Sequence, residues 1–258
     1  QNVEKILKNG KVNMEIDFLK NQECTVDILK NINKYGLILF HTHGGANSLV
    51  TGEIATYLKL DKNLMLLNNE LELRTRGTLN FGIWKYDFHN YAFTGKFVKN
   101  KIAKLKKGTI VYAGACNTGI EVIDDTYIPK AFINKGASCY LGFTNSVTHS
   151  FDSNITTKFF NLFINELNTV EEAYNYVKDF KDDSGAYLNL VEAQNVYIDI
   201  PAAKNFKAVA DSQNKKIILS WEKNNGILKS VDGYYLYRAI KNTTDSYIKI
   251  KEISSDEN

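Results

Sequence analysis

The chain has 258 residues with a formal net charge of +3, and 44% of its residues are hydrophobic and 24% charged. This composition is typical of a globular protein, and the lack of an apolar run of about 18 residues excludes a membrane-spanning helix. So small a charge, with no clustered basic face, predicts no nucleic-acid partner. The length exceeds that of most single domains, which predicts a large domain and a smaller one.

Three apolar segments predict buried strands, and segments of helical periodicity lie between them. Thr25, Gly108 and Gly136 are expected at helix ends, and Thr169-Val170-Glu171-Glu172 has the pattern of a capping box. In chain order, the predicted elements are a helix at 25–29, a strand at 37–40, a helix at 52–60, a hairpin at 64–74, a loop at 77–95, a helix at 96–105, a strand at 109–112, a helix at 128–135, a strand at 138–143, and helices at 153–167 and 169–180.

Alternating strands and helices predict an α/β fold, with a mostly parallel sheet and helices on both of its faces. In such sheets the ligand crevice lies at the carboxyl ends of the strands. His41 and His43 follow the first predicted strand, and Cys116 follows the second. We therefore expect these three side chains at the same edge of the sheet.

The composition of the chain changes after Pro201, where short alternating segments at 217–221, 232–238 and 247–250 predict a small C-terminal β-sandwich. The Leu-Ser-Trp and Gly-Tyr-Tyr-Leu-Tyr-Arg segments resemble strands of fibronectin type III modules. Such sandwiches usually have about 100 residues. The predicted domains are thus residues 1–200 and a partial fibronectin-like module at 201–258.

The three cysteines are Cys24, Cys116 and Cys139, and an odd number leaves at least one thiol without a partner in the chain. Packing in an apolar strand explains Cys139, and Cys116 is also open to the interpretation of a small buried hydrophobe. However, small residues before Cys116 and Asn117-Thr118-Gly119 after it favour a tight turn that exposes the side chain. A nucleophilic thiol needs a nearby imidazole and backbone N–H groups that stabilise an oxyanion.

Three short motifs occur in a characteristic order: an apolar strand ending in His-Gly at 37–44, another ending in Ala-Cys at 110–116, and Lys-Gly-Ala before an apolar segment at 135–143. Together they resemble the caspase-like (clan CD) cysteine peptidases, which include legumain, gingipain, clostripain and separase, and in particular the bacterial clostripain- and gingipain-like kind. The resemblance covers roughly residues 25–180. It implies a cysteine endopeptidase that needs no cofactor.

The resemblance also implies roles for individual residues. Cys116 would be the nucleophile that forms a thioacyl-enzyme, and His43, directly before a glycine, the general base. The backbone N–H groups of Gly44 and Cys116 would form the oxyanion hole. His41 and Glu53 are candidates to support His43, although a glutamate at the start of a predicted helix is also explained by the helix dipole.

The primary specificity pocket in this family would be lined by the segment at 140–147, which includes Tyr140 and Gly142. Asp152, Asp124 and Asp125 are candidates to bind a basic substrate side chain, and the sequence does not choose among them. Arg74 and Arg76 lie in a predicted exposed segment. They are candidate self-cleavage sites if the enzyme prefers basic residues. Their presence is explained equally well if they are simply solvent-exposed side chains.

Two further functions remain open at this stage. One is a binding or adhesion protein whose peptidase-like domain no longer turns over substrate. The other is a metal hydrolase, because His41 and His43 can bind Zn²⁺ from one side; its further ligands would come from His89, His149, Asp87 or Asp152. A lipase-like enzyme is excluded because the chain lacks a Gly-x-Ser-x-Gly motif.

The expected partners are a protein or peptide substrate and a surface or second protein bound through the C-terminal module. That module also predicts a secreted or cell-surface protein. Because the chain begins with Gln1 and shows no signal peptide, we expect a processed chain.

Overall fold

The computed structural model describes residues 2–56, 59–81, 84–122, 124–192, 196, 204–211, 213, 216–222, 233–238 and 248–254. The chain divides into two compact units, Gln1–Ile6 with Ile16–Tyr197 and Leu7–Glu15 with Ile198–Asn258. The first unit has a mixed α/β architecture that contains two sheets. The second unit contains antiparallel strand pairs.

The helices and strands follow one another in a mixed order along the chain. The helices are α1 Asn2–Asn9, α2 Val26–Leu29, α3 Leu60–Leu67, α4 Gly95–Lys101, α5 Ile128–Asn134, α6 His149–Phe160 and α7 Val170–Val177, with 3₁₀ turns at Asn21–Glu23 and Ile32–Lys34 and a π-helical turn at Asn161–Asn165. The strands are β1 Leu37–His41, β2 Gly44–Gly45, β3 Ser48–Ile54, β4 Leu71–Phe81, β5 Trp84–Thr94, β6 Ile110–Gly114, β7 Cys139–Phe143, β8 Leu188–Val191, β9 Lys204–Asp211, β10 Lys216–Glu222, β11 Gly233–Arg238 and β12 Ile248–Ser254.

The central sheet has the strand order β1-β6-β7-β8. Strands β1, β6 and β7 are parallel, whereas β8 runs antiparallel to β7 at the edge. The residues of β6 and β7 are all buried, which explains why their sequences are apolar runs without alternation. The mostly parallel sheet is thus confirmed, and the antiparallel edge strand is an addition to it.

Helices cover both faces of this sheet, as predicted. On one face Tyr140 stacks on Phe132 of α5, with ring centroids 5.9 Å apart. On the other face Tyr112 packs against Phe159 and Phe160 of α6, at centroid distances of 5.7 and 5.3 Å. Successive residues of a strand point to opposite faces, so the buried rings of the sheet divide between two aromatic layers.

Threonine side chains fix where several helices begin. Thr25, Thr94, Thr148 and Thr169 each accept a hydrogen bond from a backbone N–H in the first turn of the following helix. Thr169 and Glu172 also form the predicted capping box. Each such cap satisfies an N–H group that the helix itself leaves without an acceptor.

The prediction for residues 52–95 is wrong except at 71–74, where the expected second strand of the hairpin is the start of β4. The structure has β3 where a helix was expected, helix α3 in place of the first strand of a hairpin, and the β4–β5 hairpin across the expected loop. Gly52 lies in β3 because that strand packs on the Asn21–Glu23 turn, where a Cβ on Gly52 would be 1.5 Å from the Asn21 carbonyl oxygen. Asn69, with a φ of 56°, follows the end of α3 instead of forming a hairpin turn.

Strands β2, β3, β5 and β4 form a second, antiparallel sheet in that order. The chain leaves the central sheet at the end of β1 and enters the second sheet at Gly44, which pairs with Leu49. The His-Gly-Gly segment therefore lies at the junction between the two sheets.

In the second unit β9 pairs with β10 and β11 pairs with β12, both antiparallel and each with a register shift. These strands include the three predicted segments except for residues 232 and 247, which lie outside the described residues. Within the described part of the chain, no helix is both long enough and apolar enough to span a membrane.

Candidate active site

The adjacent ends of β1 and β6 lead into the two turns that carry His43 and Cys116. His41 pairs with Gly114 across the two parallel strands, and the Thr42 N–H donates to the Gly114 carbonyl oxygen at 3.3 Å, which extends the pairing by one residue. His43 and Cys116 each follow that pair by two residues. His41 lies on the face of the sheet that α6 covers, because its Nδ1 contacts Asp152 of that helix, whereas His43 and Cys116 lie in the turns that follow the two strands.

Gly44 lies directly on the Cys116 backbone. A Cβ at this position would be 2.6 Å from the Cys116 carbonyl oxygen and 2.9 Å from the Cβ atom of Ala115. No other residue type has room there, so the glycine after His43 is a steric requirement of this junction. The His-Gly and Ala-Cys motifs are therefore in direct contact.

The Cys116 thiol is free and half-buried. Its Sγ accepts a hydrogen bond from the Val147 backbone N–H at 3.3 Å. The next residue, Asn117, has a φ of 59° and donates its N–H to the Asn145 carbonyl oxygen at 3.1 Å. The turn that carries the thiol is thus held against the loop between β7 and α6.

His41 is paired with a buried carboxylate. Its Nδ1 lies 3.0 Å from Asp152 Oδ2, and the side chain of His41 is 44% exposed whereas that of Asp152 is 5% exposed. Burial raises the pKa of the Asp152 carboxyl above its ordinary value, and His41, the Thr156 hydroxyl and His149 each oppose part of that rise. His149 is the first residue of α6, which begins four residues before the start predicted at 153, and its ring meets the His41 ring edge-on at 5.4 Å.

A chain of hydrogen bonds extends from Asp152 into the core. The Thr156 hydroxyl donates to Asp152 Oδ1 at 2.9 Å and lies 2.9 Å from the Tyr112 hydroxyl. Burial is the main reason why the pKa of Tyr112 is raised far above its ordinary value. This polar chain was not predicted. The signal in the sequence is that Asp152 and Thr156, four residues apart, lie on one face of a helix that Thr148 caps.

The proposed specificity residues differ in accessibility. Tyr140 is fully buried in the core. Gly142 faces the Cys116 turn, where a Cβ would be 2.8 Å from the Gly119 nitrogen. Asp152 is engaged with His41, whereas Asp124 accepts a hydrogen bond from the exposed Thr126 N–H and Asp125 forms an exposed ion pair with Lys99.

Glu53 takes part in a different set of contacts. Its carboxylate accepts hydrogen bonds from Lys62, from Lys59 at 2.7 Å and from the Val26 N–H at 2.9 Å. Burial would raise the pKa of Glu53, but these bonds lower it overall. Because the helix expected at 52–60 is absent here, the helix-dipole explanation is wrong; Glu53 joins β3 to α2 and α3.

The remaining candidates lie in the second sheet. His89 is in β5, and Arg74 in β4 donates to Ser48 Oγ at 2.7 Å and to Glu72 at 2.8 Å. The side chains of Asp87 and Arg76 lie outside the described residues. Among the described side chains, no group of three or more His, Cys, Asp or Glu is arranged to hold a metal ion.

The three thiols are expected to react with iodoacetamide at very different rates. Burial raises the pKa of Cys139 to about 12, so roughly one molecule in 10⁴ carries that thiolate at pH 8. Burial and the nearby Glu23 also raise the pKa of Cys24. Peptide mapping by mass spectrometry after brief alkylation at pH 8 should find Cys116 modified first; labelling of Cys139 at the same rate would contradict this order.

No known family model matches the chain, and no curated protein is significantly similar to it. A functional assignment therefore depends on the chemistry of the site.

Proposed function

We propose that this protein is a cysteine endopeptidase of the caspase-like kind, with Cys116 as nucleophile and His43 as general base. The observation that carries the proposal is the contact between Gly44 and the Cys116 carbonyl, because it brings the His-Gly and Ala-Cys motifs together at the carboxyl ends of two adjacent parallel strands. This is the edge of such a sheet where ligands bind.

The reaction follows from the groups at this edge. His43 takes the proton of the Cys116 thiol, and the thiolate attacks the carbonyl carbon of the scissile peptide bond. The N–H groups of Gly44 and Cys116 stabilise the oxyanion of the tetrahedral intermediate. His43 then returns the proton to the leaving amine, and water hydrolyses the resulting thioester. The substrate is a protein or peptide, and the route requires no cofactor.

Substrate selection is proposed to occur at the segment that follows β7. Asn145 and Ser146 are exposed, and Val147 touches the thiol, whereas Tyr140 has no exposed surface. A substrate side chain can therefore contact the segment at 144–147. Tyr140 and Gly142 lie in β7 before this segment and would form the buried floor of the pocket. Asp152, Asp124 and Asp125 all stay candidates to bind a basic substrate side chain, although Asp152 is paired with His41.

For the second unit we propose a fibronectin-like β-sandwich that holds the enzyme near a surface or partner, in a secreted or cell-surface protein. The support is the two antiparallel pairs, which coincide with the fibronectin-like segments. Strands β9 and β10 also expose Phe206, Val209, Ile217 and Ile218, a set of apolar side chains typical of a contact surface.

Titration of the thiol against peptide hydrolysis tests this function. Using a library of fluorogenic peptides, we expect activity to fall in proportion to the fraction of Cys116 alkylated by iodoacetamide and to be unaffected by 1,10-phenanthroline. Full activity in alkylated protein would contradict the proposal. Loss of activity with the chelator alone would instead indicate a metal hydrolase. A folded protein that hydrolyses none of the peptides would indicate a binding protein.

A further inference from the structure

His41 and Asp152 form an imidazole–carboxylate pair beside the proposed nucleophile, and the dyad of Cys116 and His43 does not use it. We propose that His41 is the general base that activates water for hydrolysis of the thioacyl-enzyme, and that Asp152 is the positioning residue that orients it. This role depends on the proposed function, because it acts on the thioester formed at Cys116.

The contacts of Asp152 determine which nitrogen of His41 carries the proton. An ionised carboxylate does not donate a proton, so its place 3.0 Å from His41 Nδ1 favours the tautomer of His41 with the proton on that nitrogen. The Thr156 hydroxyl gives its one proton to the other carboxylate oxygen, and Tyr112 must therefore donate to Thr156. In the tautomer with its proton on Nδ1, His41 presents Nε2 as a proton acceptor.

Gly114 makes room for this pair. A Cβ there would be 2.8 Å from Asp152 Oδ1 and 3.1 Å from His41 Nδ1. The absent side chain lets both groups lie over the end of β6, two residues before Cys116 in the chain. Two residues of chain span at most roughly 7 Å, so Gly114, over which the pair lies, is within that distance of Cys116.

The surroundings of His43 differ. Within the described residues, its backbone carbonyl accepts the Val50 N–H at 2.9 Å, and no hydrogen bond to its ring is found. Its ring is free to turn toward the thiol and then toward the leaving amine. His41 has no such freedom, since Asp152 holds it. A ring held by a carboxylate is the arrangement that suits proton abstraction from water.

The step balances without a further reagent. A water molecule gives one proton to His41 Nε2 while its oxygen attacks the thioester carbonyl carbon. The tetrahedral intermediate then collapses, the carbon–sulfur bond breaks, and the carboxylic acid product leaves. The proton on His41 passes to the Cys116 thiolate or to solvent, which restores the starting state.

The p-nitrophenyl acetate reaction separates the two half-reactions. Acylation of Cys116 releases p-nitrophenolate in a burst, and hydrolysis of S-acetyl-Cys116 sets the steady rate; the Cys116→Ala variant supplies the background. For His41→Gln we expect a burst within twofold of wild type and steady turnover at least about tenfold slower. Mass spectrometry should show acetylated Cys116 accumulating, and hydroxylamine, which attacks thioesters without a base, should restore turnover.

Two variants make the outcome specific. Asp152→Asn preserves the shape of the side chain but lets an amide face Nδ1, so it should slow turnover as His41→Gln does. His89→Gln, a matched change in β5 of the second sheet, should leave both phases unchanged. Because His41 is partly exposed, its variant tests the role even if Asp152→Asn folds poorly.

The possible failures are distinguishable. Unchanged turnover in His41→Gln, or a burst slowed as much as turnover, would overturn the role of His41 and leave the nucleophile in place. If wild type shows no burst above Cys116→Ala, the proposed function and this role are both overturned.

Discussion

Replacing Cys116 with alanine is expected to lower kcat/KM for peptide hydrolysis by about 10⁴-fold or more, because no other group can form the covalent intermediate. The change should have little effect on folding. The thiol is half-buried and makes its closest hydrogen bond to the Val147 N–H at 3.3 Å. A substitution with so few contacts should alter the free energy of unfolding by about 1 kcal/mol or less.

Cys24→Ala is the matched control for this measurement. Cys24 is another half-buried free thiol, and it lies beside the N-terminus of α2. Its removal should leave kcat/KM within twofold of wild type. Equal hydrolysis by the Cys116→Ala variant and wild type, with both folded by circular dichroism, would show that Cys116 is not the nucleophile.

Much of the central sheet could be predicted because β6 and β7 are buried on both faces and β1 is at least partly buried from Leu37 to Phe40. An uninterrupted apolar run is the direct result of that burial, and the runs at 37–40, 109–112 and 138–143 correspond to β1, β6 and β7. The capping box of Thr169 and Glu172 is similarly local, since the residues that make it are three apart in the chain. Local sequence patterns were sufficient to predict an element where neighbouring residues determine it or where all of its surroundings are apolar.

The second sheet could not be predicted because contacts distant in the chain determine it. Gly52 has the appearance of a helix start, but its role is to let β3 approach the Asn21 carbonyl. The β4–β5 hairpin mixes polar and aromatic residues, so its sequence has no clear period. Pairing with β3, which is distant in the chain, supplies the order that the local sequence lacks.

In the candidate site, too, some features could be predicted from local sequence and others depend on contacts between distant residues. That His43 and Cys116 lie at one edge was foreseeable, because carboxyl ends of parallel strands meet there. The partner of His41 was not foreseeable, because the sequence offered Asp152 only as a candidate to bind a substrate side chain or a metal ion. Only the start of α6 at His149 and the space above Gly114 select Asp152.

Gly44→Ala is expected to lower kcat for peptide hydrolysis by about 10²–10³-fold. The added Cβ would lie 2.6 Å from the Cys116 carbonyl oxygen and 2.9 Å from Thr118 Cγ2, so the turn after His43 must move away from the thiol. A displacement of about 1 Å between reacting groups costs about 10²-fold, and loss of an oxyanion donor costs 10²–10³-fold. The two effects have one structural cause and need not multiply.

Gly36→Ala is the control, because a Cβ at Gly36 meets no atom within 4 Å. It should leave kcat and the urea midpoint of unfolding essentially unchanged, whereas Gly44→Ala should also lose about 1–3 kcal/mol of stability through overpacking. A folded Gly44→Ala protein with wild-type kcat would mean that the contact between the His-Gly turn and Cys116 is not needed for turnover. Loss of kcat with Cys116 still reactive toward iodoacetamide would show that the thiol persists and that its alignment with His43 and the oxyanion donors has been lost.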